Sequence, residues 1–144
     1  MPLGSSAALI SVHPKYVQKI LNGSKRVEFR RVWTSRVVTH LVLYSTAPDM
    51  KVVAILELEK TVERSKAGLW ELAKQYGGGL TREALRTYFS DKKVGYGLII
   101  ASVQELKTPL PLSDAIPGVR APQSYAYLTN TQFSQLKQSA GLEN

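Results

Sequence analysis

The chain has 144 residues, 44% of them hydrophobic, and a formal net charge of +8. That length fits one domain with a real core, and no apolar run approaches the roughly 18 residues that would read as a membrane-spanning helix. The absence of cysteine excludes disulfides and thiolate metal sites, and two histidines alone, His13 and His40, do not make a typical zinc site.

The residues are expected to fall into a flexible start over 1–7, in part a cloning remnant, and a single domain over 8–144. Ala8 to Val12 reads as a short buried strand. Pro14 suits the first turn of a helix, with Tyr16, Val17, Ile20 and Leu21 on its apolar side and Lys15, Gln18 and Lys19 opposite. Asn22-Gly23 stops that helix, because glycine accepts the left-handed conformation found at helix ends. From Lys25 the chain becomes a strand. Its period of two sends Val27 and Phe29 to a core and groups Arg26, Glu28 and Arg30 on the other face, with Lys25 at the lip and Arg31 beyond. Two arginines flanking a carboxylate can hold an anionic or hydrogen-bonding ligand; the plain alternative is a solvated strand face. Charge is concentrated here: residues 1–36 hold seven basic residues against Glu28, a net of +6, and the remainder of the chain carries +2. Such a footprint points to a polyanionic partner.

Val32 to Arg36 is a basic loop whose Trp33 either stacks on a base or folds back on the core. Thr39 to Tyr44 and Val52 to Glu59 are strands, separated by a break at Ser45-Thr46-Ala47-Pro48-Asp49. A helix follows, marked by Leu69, Leu72, Ala73 and Tyr76 and ended by Gly77-Gly78-Gly79. This triple glycine lacks the pattern of a phosphate loop and follows a helix, not a strand. Thr81 caps a second helix, with Glu83 in its first turn and Leu85, Tyr88 and Phe89 on its apolar face. Gly95 to Val103 is the longest strand signal. Pro109, Pro111 and Pro117 are expected to keep the next stretch irregular. An extended segment over 120–128 and a short helix capped by Thr131, holding Phe133 and Leu136, close the chain. The pattern predicts an α+β domain on a small, mostly antiparallel β-barrel with inserted and flanking helices.

The run from Ile10 to Arg31, with Pro14, Tyr16, Ile20, Gly23, Lys25, Val27, Glu28 and Arg30 in order, resembles the opening of an ASCH domain of the PUA-like superfamily. Tyr44 to Pro48, Gly95 to Leu98, Pro109 with Leu112, and Pro122 to Tyr125 with Tyr127-Leu128 extend the resemblance to about residues 9–128; the closing segment is similar to the bacterial and archaeal subgroup. The resemblance implies a β-barrel with a cleft and recognition of RNA or a modified base. It also implies, in some members, nuclease activity or removal of acetyl from N4-acetylcytidine. In that hydrolase subgroup a lysine, a threonine and a glutamate act together. Lys25 matches the lysine, the threonine position is Glu28, and Glu83 is the match for the glutamate.

The expected function is therefore a nucleic-acid-binding module that takes single-stranded RNA or a modified base in a basic cleft. The alternatives are a hydrolase, either a ribonuclease or an amidohydrolase using Lys25, Glu28 and Glu83, and a regulatory protein-interaction domain. The binding set comprises Lys25, Arg26, Glu28, Arg30 and Arg31, the hydroxyls and amide of Ser45, Thr46, Gln123 and Ser124, and the aromatic faces of Trp33, Tyr96 and Tyr125. Glu28, held between arginines, reads as an orienting group, and Lys25 as the base. No metal, cofactor or membrane is called for, the oligomeric state is left open, and the cytoplasm is the expected compartment.

Overall fold

The computed structural model describes residues 6–142. Six strands, β1 (Ala7–Val12), β2 (Val27–Arg30), β3 (His40–Ser45), β4 (Lys51–Ser65), β5 (Val94–Pro111) and β6 (Tyr125–Leu128), form one sheet in the order β2-β5-β4-β3-β1-β6. Five helices accompany it: α1 (Pro14–Leu21), α2 (Lys66–Tyr76), α3 (Arg82–Tyr88), α4 (Leu112–Ala115) and α5 (Asn130–Ser139). Among the described residues, no helix is long and apolar enough to cross a membrane.

All pairings are antiparallel except β1 with β3, which is parallel and so needs the crossover that carries α1 and β2. The sheet is not the closed barrel that the strand pattern predicts. Its edges, β2 and β6, share no backbone pairing. They nevertheless come within one side chain's reach: Arg30, at the end of β2, donates to the carbonyls of Ser11 in β1 (3.0 Å) and Ser124 just before β6 (3.3 Å).

Both faces of the sheet are covered, which explains why β1 and β3 are apolar without alternation. On one face Ile10, Leu41, Leu43, Leu56, Leu98 and Ile100 pack with Val17 and Ile20 of α1. On the other, Leu9, Val42, Tyr44 and Ile55 meet Phe133 and Leu136 of α5. A third cluster joins Val27, Phe29 and Ile99 to α2 and α3 through Leu69, Ala73, Leu85 and Phe89.

Several boundaries differ from expectation. Residues 1–5 of the expected flexible start lie outside the described residues, but Ala7 is already a buried strand residue. β5 runs on through Pro109 to Pro111, pairing Leu110 with Val52. Proline is tolerated there because β2 covers β5 only as far as Ile99, leaving the later strand as an open edge. The cap of α5 is Thr129, not Thr131: Thr129 and Gln132 form a capping box, each side chain accepting from the other's backbone N–H.

His40, at the start of β3, packs on Phe133 of α5 at 5.4 Å between ring centroids. Burial holds its imidazole below the ordinary value of 6.5; Glu57 opposes this and Lys137 adds to it. The neutral ring is therefore favoured by folding. Its contribution is complete above about pH 6.5 and declines as pH falls below that, because the unfolded chain takes up the proton first. Urea midpoints of wild type should fall more than those of His40→Gln between about pH 7 and pH 5; parallel declines would contradict this.

Candidate nucleic-acid cleft

The turn after α1 starts the site. Gly23 takes a positive φ of +85°, Asn22 Oδ1 accepts from Ser24 N, and Lys25 N donates back to Lys19 O. The loop after α2 then wraps the beginning of β2. Arg26 N donates to the carbonyls of Tyr76 and Gly77. The triple glycine exists for this approach. A Cβ on Gly77 would run into the Ser24 carbonyl oxygen, and one on Gly78 would stand 2.7 Å from Ala73 Cβ and 2.9 Å from the Phe29 ring.

β2 pairs Glu28 with Leu98 and Val27 with Ile99, so Glu28 shares the face of Leu98 and its interior cluster. The result is a row of buried charge: Lys25, Glu28 and Arg30 are only 3%, 8% and 7% exposed. Lys25 Nζ meets three acceptors, Gly78 O at 2.5 Å, Val27 O at 2.8 Å and Glu28 Oε1 at 3.5 Å. Glu28 Oε2 lies 3.0 Å from Arg30 NH2. Arg30 Nε is buried with no hydrogen-bond partner among the described residues. Such orphaned donors are uncommon and call for an explanation.

Burial pushes the Lys25 ammonium below its ordinary value, and Glu28 pulls it back. Two observations bear on the reading of Lys25 as the base. Burial is the leading cause, with Arg30 a lesser one. Two of the three acceptors are carbonyls, and a neutral amine giving its hydrogens to them would turn its lone pair on the Glu28 carboxylate. The arrangement fits a pinned cation.

This row is the floor of a cleft of about 580 Å³. One wall is Ser11, His13 and Tyr16, from the end of β1 and the start of α1; the other is Leu80, in the loop before α3, with Ala84, Thr87 and Tyr88 along α3. His13 is the N-cap of α1, its Nδ1 accepting from Lys15 N, so Nε2 is the nitrogen left for a ligand. Tyr88 donates its hydroxyl to Phe29 O at 3.4 Å, and burial raises its phenol above the ordinary value. Tyr16 and Tyr88 read in the sequence as core-facing helix residues. The available signal was that each is a tyrosine, with a polar tip, at an otherwise aliphatic position.

The other expected binding residues are elsewhere. Arg26 is exposed just ahead of β2. Arg31 is committed to Asp91 (2.6 Å) and to Tyr88 O, and that guanidinium holds the Asp91 carboxyl at about 2. Trp33 is folded back on the core, 4.7 Å from the ring of the half-buried Tyr125, and neither aromatic lines the cleft. Ser45 is fully buried and donates to Asp49. Thr46 anchors the following turn, its N–H donating to Val12 O and its carbonyl accepting from Asp49 N. Tyr96 packs on the core with its hydroxyl toward Glu63. Ser124 supplies a carbonyl to Arg30, and Gln123 is exposed; neither lines the cleft. Glu83 is exposed in the first turn of α3 and also falls outside the lining. Among the described residues, no three potential metal ligands cluster.

The open sheet with its inserted helices and this cleft define a PUA-like α+β fold. No protein-family model matches the chain. An ASCH domain-containing ribonuclease from Zymomonas mobilis is 28% identical over 136 residues, covering 90% of this chain and 88% of that one. The crystal structure of ASCH from Zymomonas mobilis has the same fold, with a TM-score of 0.82 over 92% of this chain and 94% of that one at 24% identity. The N-terminal domain of McrB from Staphylothermus marinus is similar in fold at a TM-score of 0.60, with 8% identity and coverage of 96% and 99%. The chain is thus similar to ASCH-domain proteins in sequence and in fold.

Proposed function

We propose that this protein binds single-stranded RNA and seats one unstacked nucleotide in the cleft above Lys25, Glu28 and Arg30. The carrying observation is that buried row of charge on the floor of an open cleft. Burying three charges has a large desolvation cost, so a solvated strand face is a poor account of it. Glu28 retains acceptor capacity for the exocyclic amine of a base. Arg30 Nε is a donor that an oxygen of the ligand would satisfy. Tyr16 and Tyr88 offer ring faces, and stacking contributes on the order of 1–3 kcal/mol per base. Single strands are favoured because extracting a base from a duplex costs a few kcal/mol more.

A second reading, hydrolysis of RNA, is supported by the ribonuclease from Zymomonas mobilis. In that reading Lys25 and Arg30 stabilise charge developing on the scissile phosphate, and Glu28 orients them. The amidohydrolase alternative has less support, because Glu28 stands where its threonine would be and Glu83 lies off the cleft.

The test is a panel of single-stranded RNA, single-stranded DNA and nucleosides including N4-acetylcytidine, assayed for binding and, by mass spectrometry, for product. Lys25→Met keeps the aliphatic stem and removes the charge. It should weaken RNA binding about 10- to 100-fold, as expected for a charged hydrogen bond of about 1.5–3 kcal/mol. Product from wild type and none from the variant would establish the hydrolase. Salt-sensitive binding without product would leave an RNA reader. Neither binding nor product would overturn the reading in favour of a protein partner.

A further inference from the structure

Three positive charges converge on Tyr16. The Nζ atoms of Lys15, Lys19 and Lys25 lie 5.7, 5.9 and 5.6 Å from its ring centroid. Lys25 belongs to the cleft floor, where Glu28 answers it. Lys15 and Lys19 line a second groove, of about 420 Å³, which meets the cleft along Tyr16, Leu80 and Ala84. Neither lysine forms an ion pair among the described residues. Lys19 gives one N–H to Gly79 O at 2.8 Å and keeps two; Lys15 is exposed.

Local physics disfavours this arrangement. α1 contains no acidic residue, so nothing along it offsets the charge. Lys15 and Lys19 are four residues apart, where like charges repel on a helix surface. Lys15 also sits in the first turn, where the helix dipole disfavours a cation. An ordinary solvated helix face would intersperse carboxylates.

We infer that this groove is a backbone track. Phosphates of the RNA strand next to the nucleotide in the cleft lie against Lys15 and Lys19, and the Tyr16 ring is the partition between base and phosphate. The inference rests on the RNA reading above. Ammonium groups suit it, because a strand running through a groove needs point charges more than a fixed bidentate fork. A free phosphate shares the same chemistry, but it does not also occupy the cleft.

The experiment measures binding of fluorescein-labelled single-stranded RNA of mixed sequence by anisotropy between about 50 and 200 mM salt. It compares wild type, Lys15→Gln, Lys19→Gln, the double variant and Lys107→Gln, a lysine on the exposed part of β5. Nucleoside monophosphates are run in parallel as competitors. Each groove variant should reduce the slope of log affinity against log salt by about 0.7, and the double variant by about 1.4, with Lys107→Gln unchanged. Lys15→Gln is the cleaner variant, since Lys19 also holds the Gly79 loop. Slopes equal to that of Lys107→Gln would overturn the track while leaving RNA binding intact. Monophosphates that lose affinity as much as the oligonucleotide does would reduce the groove to a free-phosphate site and overturn the track as well. Absence of RNA binding by wild type would overturn both readings, and shows in the wild type alone.

Discussion

Replacing Glu28 by alanine should lower folding stability by about 3–5 kcal/mol, since it leaves two buried cations without their anion. Lys25 and Arg30 keep carbonyl partners, but a carbonyl cancels no charge. Against a typical total of about 5–15 kcal/mol, that loss moves the urea midpoint far enough to measure without ambiguity. Glu28→Gln, which keeps the shape and part of the hydrogen bonding, should lose less. A triple replacement, Lys25→Met with Glu28→Leu and Arg30→Met, should regain much of the stability, because well-packed apolar groups avoid the desolvation cost. It should also abolish RNA binding. A Glu28→Ala loss under about 1 kcal/mol, the scale of a surface pair, would mean the row is effectively solvated.

Gly77→Ala should be nearly as damaging, at about 3 kcal/mol. Its φ of +79° alone strains a residue with a side chain by roughly 1–3 kcal/mol. The new Cβ must also displace the Ser24 backbone, which cannot swing away as a side chain would. The natural comparison is Gly23, with a similar φ of +85° and open space around its missing Cβ. Gly23→Ala should therefore cost only the conformational term, roughly 1–2 kcal/mol. Urea titrations of the two variants check the difference. Gly77→Ala should also weaken RNA binding, because it shifts the loop that carries Gly78 O away from Lys25. Equal losses from both glycines would contradict the close-approach account.

The sequence carried the centre of the site because it is local. A period of two along β2 places Glu28 and Arg30 together and sends Val27 and Phe29 the other way, and no distant contact is needed to see it. The helix stop at Asn22-Gly23, the glycine-ended α2 and the Thr81 cap are legible for the same reason. What surrounds the row depends on pairings between distant residues. Trp33 reads as a stacking candidate until Tyr125, on the far edge strand, is seen to cover it. Tyr96 and Ser45 lie near the right strands but point to the core or to Asp49. For Tyr16 and Tyr88 the hydroxyl is the one local mark, and it does not by itself separate a cleft wall from a core face. Closure failed as an expectation because strand counting does not reveal an unpaired edge, and here a side chain, Arg30, spans the gap where backbone pairing would be. The Pro109 stretch was misjudged because an edge strand tolerates proline and a central one does not.

The most direct test of the central claim is photocrosslinking of single-stranded RNA to the wild-type protein, with the modified residues identified by mass spectrometry. A nucleotide seated over Lys25, Glu28 and Arg30 predicts adducts on Tyr16, Tyr88 or His13, lost in Lys25→Met. Adducts confined to α5, at its exposed Gln135 or Gln138, would place RNA on the opposite face of the sheet and contradict the account.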